Sequence, residues 1–209
     1  MFHRIANPVA GEWVLVHGAG GGVGNLLLEL AQIAGVKAVG SASASKADVV
    51  RARGAEPVDY SREDVAARAR ALSGGGVVAA FDHLGGKHFK KVSVAALRPG
   101  GVGVLYGAYD MTRNGKVNPL AIADLVLNAS FSSLGLFGKG QGVATYSMQP
   151  WRDARPLAYR QDLETVLKLV GDGALSPLVG ATFPLREAAK AQQALESRSV
   201  AGKIVLVTA

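Results

Sequence analysis

A glycine-rich loop near the start of the chain constrains the fold more than any other feature. The stretch "WVLVHGAGGGVGNLLLELAQIAG" (13–35) places five glycines in the seven positions 18–24, between an apolar run and a long amphipathic segment. A strand, a tight glycine turn and a helix in this order are typical of a phosphate-binding loop, in which the helix N-terminus faces the phosphates. The loop therefore predicts a nucleotide site at the carboxyl end of the first strand.

Apolar runs and helical stretches alternate along the rest of the chain. Strands separated by helices of this length predict right-handed crossovers and an α/β fold, a doubly wound parallel sheet with helices on both faces. The predicted strands are 13–17, 37–41, 77–82, 102–106 and 203–207. The predicted helices are 22–34, 46–53, 62–72, 87–97, 120–128, 162–172 and 186–198.

Composition excludes several classes of site. The 209 residues include no cysteine, which excludes disulfides and thiolate-bound zinc. The net charge of +7 comes from scattered basic residues, so an arginine-rich globular protein without a specific anionic partner is the simplest interpretation. The alternative is an anionic partner, for which the scatter favours a phosphorylated cofactor over nucleic acid. The sequence has no uninterrupted apolar run of membrane-spanning length and no signal-peptide pattern at its start. We therefore expect a cytoplasmic protein with no membrane or nucleic-acid partner.

The register of the glycine loop indicates which nucleotide binds. The dinucleotide fingerprint appears as Ala19-x-Gly21-x-x-Gly24, and no Gly-Lys-Ser/Thr follows, so a nucleoside triphosphate site is disfavoured. NAD-selective sites place an acidic residue about 20 residues further on. Ser41 stands there instead, followed by Ser43 and Lys46, whose hydroxyl and ammonium groups suit a 2′-phosphate. NADP(H) is the predicted cofactor; the alternative is a serine-rich loop that only caps the next helix.

Four stretches together resemble a known family: "GEWVLVHGAGGGVGNLLLELAQIAGVKAVGSAS", "KADVVRARGAEPVDYSRED", "VVAAFDHLGGKHFKKVSVAALRPGGVGVLYGAYD" and "LSPLVGATFPLREAAKAQQALESRSVAGKIVLVTA". They are similar to the medium-chain dehydrogenase/reductase superfamily, and within it to the zinc-independent NADPH quinone oxidoreductase (zeta-crystallin/VAT-like) branch. The resemblance covers nearly the whole chain. It implies a Rossmann fold, NADP(H) as cofactor, and metal-free hydride transfer to a quinone, an enone or a similar small molecule.

The resemblance also implies a set of cofactor-binding residues. The loop would contact the pyrophosphate, and residues after the second strand would contact the 2′-phosphate. Turns after the strands at 77–82 and 102–106 would flank the ribose and nicotinamide, together with the end of a strand at 131–137. The set is Ala19, Gly20, Gly21, Gly22, Val23, Gly24, Ser41, Ser43, Lys46, Tyr60, Leu84, Gly85, Gly107, Ala108, Leu136 and Phe137.

Domain boundaries follow from the same resemblance. Residues 1–12 correspond to the end of an interdomain helix, 13–137 to the cofactor-binding core, 138–161 to an irregular loop or lid, and 162–209 to the C-terminal helices and terminal strand. In the family a GroES-like catalytic domain precedes the cofactor-binding domain, and from the resemblance we expect that this sequence does not include it. In the family the edge strand, here 131–137, pairs with its twin in a homodimer. A physical motive is that an exposed edge strand otherwise invites aggregation.

Few residues are candidates for chemistry, and no catalytic residue is assigned. His17 is expected to pack beside the glycine loop, and His88 to be a solvated helix residue. His83 follows a strand end, where α/β sheets bind ligands, but an inert role is the more common outcome. No metal site is expected, because the histidine spacing is unsuitable and cysteine is lacking. The predicted function is an NADPH-dependent oxidoreductase; the alternative is a binding or interaction module without catalytic activity.

Overall fold

A six-stranded parallel sheet forms the centre of the molecule, in a computed structural model that describes residues 1–108, 111–113, 116–128 and 130–208. The strand order is β3-β2-β1-β4-β5-β8. The strands of this sheet are β1 Trp13–His17, β2 Lys37–Ala42, β3 Glu56–Asp59, β4 Val77–Asp82, β5 Leu97–Leu105 and β8 Gly142–Thr145. The prediction of a doubly wound parallel sheet is confirmed. The order reverses between β1 and β4, which creates the crevice where such sheets bind ligands.

Helices connect these strands and cover the sheet. They are α1 Gly22–Ile33, α2 Ala47–Arg51, α3 Val65–Ser73, α4 Gly86–His88, α5 Pro119–Leu127, α6 Ser133–Lys139, α7 Met148–Ala154, α8 Pro156–Gly171 and α9 Ala188–Glu196. The helical path of α4 continues through Phe89–Ser93 and Val94–Ala96, and a single helical turn lies at Phe2–Ala6. Within the described residues, no helix is both long and apolar enough to cross a membrane.

Side chains from the central strands alternate between two buried cores, one on each face of the sheet. Val14 and Val16 of β1 join the core that includes Phe81. Leu15, between them, joins the core on the other face with Val39. Because successive side chains of a strand point to opposite faces, a continuous apolar run is the pattern expected of a strand covered on both sides. The run that precedes the glycine loop therefore lies at the centre of the fold.

The strand predicted at 131–137 is wrong, because this segment contains helix α6. The hydroxyl of Ser132 accepts a hydrogen bond from the Gly135 N–H at 3.1 Å and so caps the helix. Gly140 ends it in a left-handed conformation (φ 60°). A serine cap and a terminating glycine with seven residues between them outweigh the β-propensity of the apolar residues in that segment.

The segment 138–161, expected as an irregular loop, contains regular structure. It includes β8, all of α7 and the start of α8. β8 pairs in parallel with β5 and forms the edge of the sheet that 131–137 was expected to provide. Strand β3 and strand β9 (Val179–Pro184) were also missing from the predicted elements. All three are short or weakly alternating, so sequence patterning alone does not distinguish them from loops.

The C-terminal part forms a separate small sheet. β9 pairs in parallel with β10 (Lys203–Val207), and the turn before β10 bridges back to the glycine loop between Gly21 and Gly202. A third pair, β6 (Thr112–Arg113) with β7 (Lys116–Val117), forms a short antiparallel hairpin. The contact between residues 21 and 202 positions the end of the chain beside the predicted nucleotide site.

Candidate functional site

A large cleft lies at the carboxyl ends of the parallel strands, at the point where the strand order reverses. Its volume is about 1190 Å³, large enough for a dinucleotide-sized ligand. Twelve of the sixteen predicted cofactor residues line it: Gly20, Gly21, Gly22, Val23, Gly24, Ser41, Ser43, Lys46, Tyr60, Leu84, Gly107 and Ala108. The structure thus brings together residues that the sequence separates by almost 90 positions.

Four predicted residues lie elsewhere. The side chain of Ala19 is fully buried in the core, where its backbone N–H donates to the Ser41 carbonyl at 3.0 Å. Gly85 lines a smaller neighbouring cavity. Leu136 and Phe137 belong to α6; Leu136 packs against the core and Phe137 is 84% exposed. Their predicted role depended on a strand that is not present, so neither residue belongs to the cleft.

The glycine loop is shaped by close backbone approach. Gly18 has a φ of +63°, which side-chain-bearing residues rarely adopt. At Gly24 a Cβ atom would lie 2.3 Å from the Gly18 carbonyl oxygen, so only glycine lets α1 approach the turn. In the first turn of α1 the backbone N–H groups have no partners within the helix, and the helix dipole adds partial positive charge. The loop therefore offers an anion site that opens into the cleft.

Lys46 is the cation that follows β2, and it is already engaged by the protein. Its ammonium group donates to the Val200 carbonyl at 2.8 Å. Burial lowers the pKa of Lys46, and the nearby charge of Arg198 lowers it further. The aliphatic stem of Lys46 lies against Gly20, where a Cβ would come within 2.6 Å of the lysine Cδ. Lysine and glycine loop thus form one continuous surface.

The C-terminal segment closes one side of the cleft, which the sequence analysis missed. The Gly202 N–H donates to the Gly20 carbonyl at 2.9 Å. Arg198 and Val200 also line the cleft, so a second basic side chain joins Lys46 there. The segment "ESRSVAGK" (196–203) carries no motif that points to a loop 180 residues earlier. The contact between the two segments is visible only in the folded structure, where Gly202 lies beside Gly20 and Gly21.

His17 is a buried residue of the cleft floor. Its Nδ1 lies 2.9 Å from the Ser41 hydroxyl, and the imidazole is 1% exposed. Burial lowers the pKa of His17 to about 3, although the charge of Asp82 opposes the shift. The imidazole is therefore neutral at physiological pH. The Ser41 hydroxyl is occupied by this contact, so Ser41 supports the cleft through packing rather than through a free donor.

Asp82 and His88 form a hydrogen-bonded pair beside His17, and this corrects the expectation that His88 is a solvated helix residue. His88 Nδ1 lies 2.8 Å from Oδ2 of the fully buried Asp82 carboxylate. Oδ1 accepts from the backbone N–H groups of Leu84 (2.7 Å) and Gly85 (2.9 Å). Burial by itself would raise the pKa of Asp82, but the hydrogen bond from His88 and the neighbouring imidazole charges lower it well below its ordinary value. Asp82 therefore stays ionised and holds both the turn and the imidazole.

His83 and the aromatic residues of the segments 106–109 and 146–151 divide between the cleft and the surface. His83 lies over Gly18 and 6.0 Å from the Tyr106 ring, measured between centroids, and both side chains line the cleft. Burial raises the pKa of Tyr106, so its hydroxyl stays protonated. Tyr146 and Trp151 pack against each other outside the cleft, with ring centroids 5.8 Å apart. Tyr109 lies outside the described residues.

The sequence profile of a family described as "Zinc-binding dehydrogenase" matches residues 53–206, which is most of the chain. The chain belongs to the zinc-binding dehydrogenase family. This confirms the resemblance to the medium-chain dehydrogenase/reductase superfamily that the sequence motifs indicated.

Individual relatives of this dehydrogenase family resemble the chain over nearly its full length. A 2-haloacrylate reductase from a Burkholderia species is 29% identical over 216 residues, covering 99% of this chain and 59% of the reductase. A mycobacterial protein solved in complex with NADPH is 27% identical, with a TM-score of 0.78 over 98% of this chain and 58% of that protein. A Pseudomonas syringae quinone oxidoreductase is 27% identical, with a TM-score of 0.77, covering 98% of this chain and 59% of that protein. The chain spans about half the length of the curated relatives it matches.

The family's description raises the question of whether this chain carries a zinc site. Among the described residues, one group of three potential ligands has its ligand atoms within 4.8 Å of one another: His17, Asp82 and His88. Zinc requires deprotonated ligand atoms whose lone pairs are available. Here Asp82 Oδ2 already accepts from both His88 Nδ1 and the Ser93 hydroxyl, and among the buried side-chain atoms of the group His17 Nε2 is the one without a hydrogen-bond partner. Asp82 and His88 are thus bonded to each other rather than available as ligands, so the group does not fit a zinc ion.

Proposed function

We propose that this chain binds NADPH in the cleft and serves as the cofactor-binding part of a metal-free reductase. The observation that carries the proposal is the shared surface of the glycine loop and Lys46. The loop offers backbone N–H groups at the N-terminus of α1, and the lysine stem lies against Gly20 within the same cleft. A pyrophosphate and a 2′-phosphate are the two anions that such an arrangement suits.

Each part of the cleft has an expected role toward NADPH. Residues 20–24 would bind the pyrophosphate through their backbone. Ser43, Lys46 and Tyr60 would hold the 2′-phosphate, and Arg198 adds a further positive charge on the same wall. Leu84, Gly107 and Ala108 would flank the ribose and the nicotinamide. The NADPH complex of the similar mycobacterial protein supports this assignment.

Selectivity for NADPH over NADH is proposed on the charge at the end of β2. Residues 41–46 include three serines and one lysine and no acidic residue. An acidic side chain at this position would bind the free ribose hydroxyl of NADH and repel a phosphate. With hydroxyl and ammonium groups instead, charge-assisted hydrogen bonds to a phosphate become available.

The proposed reaction is reduction of a quinone, an enone or a similar activated alkene. NADPH, when bound, supplies the hydride. The protein orients the acceptor, excludes water and holds the proton that the product needs. The similarity to a 2-haloacrylate reductase and to a quinone oxidoreductase supports this substrate class, since both names denote electron-poor, conjugated acceptors.

A fluorescence titration of the purified 209-residue protein with NADPH and, separately, NADH tests the proposal. Tight binding selective for NADPH is expected, followed by NADPH consumption when quinones and enones are supplied. Absence of binding would refute the cofactor assignment. Selective binding without turnover on any acceptor would refute the reductase activity of this chain and favour the alternative, a binding or interaction module.

We also propose that the chain forms a homodimer through the open edge of the main sheet. β8 is hydrogen-bonded on one side, to β5, and its other edge has no strand beside it in the described chain. Exposed strand edges recruit further strands. Sedimentation of the wild type and of a Val143→Pro variant tests this: the wild type is expected to sediment as a dimer and the variant as a monomer. A monomeric wild type would overturn it.

A further inference from the structure

A second, smaller cavity adjoins the proposed cofactor cleft. Its volume is about 210 Å³, and it lies between the turn after β4, Met111 and helix α5. Leu84 and His88 line both this cavity and the cleft, so the two spaces share a wall. A molecule in the second cavity would therefore lie next to whatever occupies the cleft.

The wall of this cavity is mostly apolar, and its one carboxylate is already used. Met111, Ala121 and Leu125 contribute apolar surface. Asp124 Oδ2 accepts from the Lys87 N–H at 2.9 Å, and Oδ1 accepts from the Asn128 side chain at 2.9 Å. Both oxygens thus have partners within the protein. An apolar cavity with one available polar group is the usual construction of a small-molecule site.

His88 provides that polar group. Its Nδ1 is bonded to the buried Asp82, so Nε2 is the ring atom that remains for a ligand. Asp82 is itself fixed by two backbone N–H groups and by the Ser93 hydroxyl. The imidazole is therefore held in one orientation by a rigid partner, which is how proteins position an acid–base group. When both of its nitrogens carry protons, an imidazole ring donates from each of them.

The position of the cavity matches the nicotinamide end of the proposed cofactor site. One wall is the turn at 84–86, and another begins at Met111, whose N–H donates to the Ala108 carbonyl at 3.1 Å. Leu84 and Ala108 are residues proposed to flank the ribose and nicotinamide. The cavity is thus adjacent to the half of the cofactor that reacts.

We propose that this second cavity binds a small, uncharged carbonyl compound, whose oxygen accepts a hydrogen bond from Nε2 of His88. The inference rests on the proposed function, because the compound would be the hydride acceptor. The volume equals that of roughly seven liquid waters, which admits a single-ring enone or quinone and excludes long-chain or polycyclic acceptors.

With NADPH as the reductant, the reduction of a carbonyl compound in this cavity balances in both protons and electrons. For an enone, the β-carbon gains a C–H bond from the hydride, and NADPH becomes NADP⁺. The electrons of the C=C bond move to the carbonyl group, and its oxygen takes the proton that Nε2 loses. Solvent returns a proton to His88, and the enol converts to the saturated ketone. His88 is the catalytic residue of this proposal, and Asp82 is a positioning residue.

Ligand-observed NMR with cyclohexanone, an unreactive probe of the proposed class, tests the site by binding alone. The protein is saturated with NADP⁺, and the saturation transferred to the probe is followed as its concentration is varied. Wild type and Ala123→Phe are expected to bind the probe equally, because Ala123 is exposed on α5 and lies outside the cavity. Ala121→Phe, on the same helix, fills the cavity and is expected to abolish the signal.

Two further variants keep the test informative if Ala121→Phe does not fold. His88→Gln retains a donor toward Asp82 but has no ring nitrogen at the position of Nε2, and it is expected to weaken probe binding about tenfold. Leu125→Ala enlarges the cavity and is expected to shift preference toward the bulkier 4-tert-butylcyclohexanone. Equal probe binding in wild type, Ala121→Phe and His88→Gln would overturn the proposal, as would no binding to wild type.

The NADPH titration separates failure of this inference from failure of the proposed function. If NADPH binds and the probe does not, the cofactor assignment stands and the second cavity is not the acceptor site. If NADPH itself fails to bind, the proposed function fails, and probe binding without cofactor then reports on the cavity alone.

Discussion

The Lys46 ammonium group donates to the Val200 carbonyl at 2.8 Å, joining the turn after β2 to the segment before the last strand. The two residues are 154 positions apart in sequence. Because the bond leaves two ammonium donors available, the same lysine can hold the C-terminal segment and a phosphate at once. In the proposed NADPH complex, one side chain would therefore link closure of the cleft to recognition of the 2′-phosphate.

Removing the 2′-phosphate contacts should weaken NADPH binding selectively. A Ser43→Ala, Lys46→Ala double variant is expected to lose roughly 1–3 kcal/mol of NADPH binding free energy, because charge-assisted hydrogen bonds are lost. NADH binding should change little. Fluorescence titrations with both cofactors measure this, with Lys139→Ala, on the exposed end of α6, as control. Unchanged NADPH affinity in the double variant would contradict the assignment.

The third position of the fingerprint, Gly24, should tolerate no side chain. At Gly24 a Cβ would lie 2.3 Å from the Gly18 carbonyl oxygen, so Gly24→Ala must push α1 away from the turn. The expected loss of stability is about 1–3 kcal/mol, measured by chemical denaturation. Gly171→Ala is the matched control, since no atom lies within 4 Å of its Cβ position and alanine favours the helix. Equal stability of the two variants would refute this account of the loop.

Neutralising Asp82 should be far more costly than neutralising an exposed aspartate. Asp82→Asn removes the buried negative charge and replaces one carboxylate oxygen with an NH2 donor, so one oxygen can still serve the two backbone N–H groups but His88 and Ser93 lose their acceptor. We expect a loss of about 3–5 kcal/mol in the free energy of unfolding. Asp48→Asn, whose side chain is 98% exposed beside Arg51, should cost less than about 1 kcal/mol. Similar values for the two variants would show that the Asp82 network contributes little.

Stability should fall with decreasing pH because of His17. Its pKa is about 3 in the folded protein and 6.5 ordinarily, so the unfolded chain takes up a proton that the folded state rejects. The free energy of unfolding therefore decreases as the pH drops below about 6.5, by up to about 1.4 kcal/mol per pH unit, until the folded-state pKa is reached. The depressed pKa of Asp82 acts in the same direction at the acidic end.

Denaturation curves of His17→Gln between pH 7 and pH 4 measure this dependence. The variant should show a shallower slope than wild type, whereas His3→Gln, at an exposed position, should keep the wild-type slope. A wild-type slope in His17→Gln would mean that the imidazole is accessible to protons in the folded state.

Local patterns were sufficient for the strands and helices closest to the glycine loop. The apolar run at 13–17, the glycines after it and the amphipathic stretch that follows predict β1, the turn and α1 because each pattern is complete within a few residues. Ser43 and Lys46 were proposed on similar grounds, since they follow the end of β2 at a fixed distance from the fingerprint, whereas Tyr60 was proposed from the family resemblance alone; all three line the cleft. The strand prediction for 131–137 failed because the capping Ser132 and the terminating Gly140 indicate a helix as strongly as the apolar residues between them indicate a strand.

The sequence by itself indicated the parallel α/β fold and the glycine loop, because periodicity and glycine spacing are local properties, and its motifs carried the resemblance to the family. The tertiary structure alone decided what surrounds the loop. The bond between Lys46 and Val200, the pairing of Asp82 with His88 and the cavity shared between His88 and Leu125 each join segments that no local pattern connects. Such contacts depend on which strand ends the sheet brings side by side, and that arrangement exists only once the chain has packed.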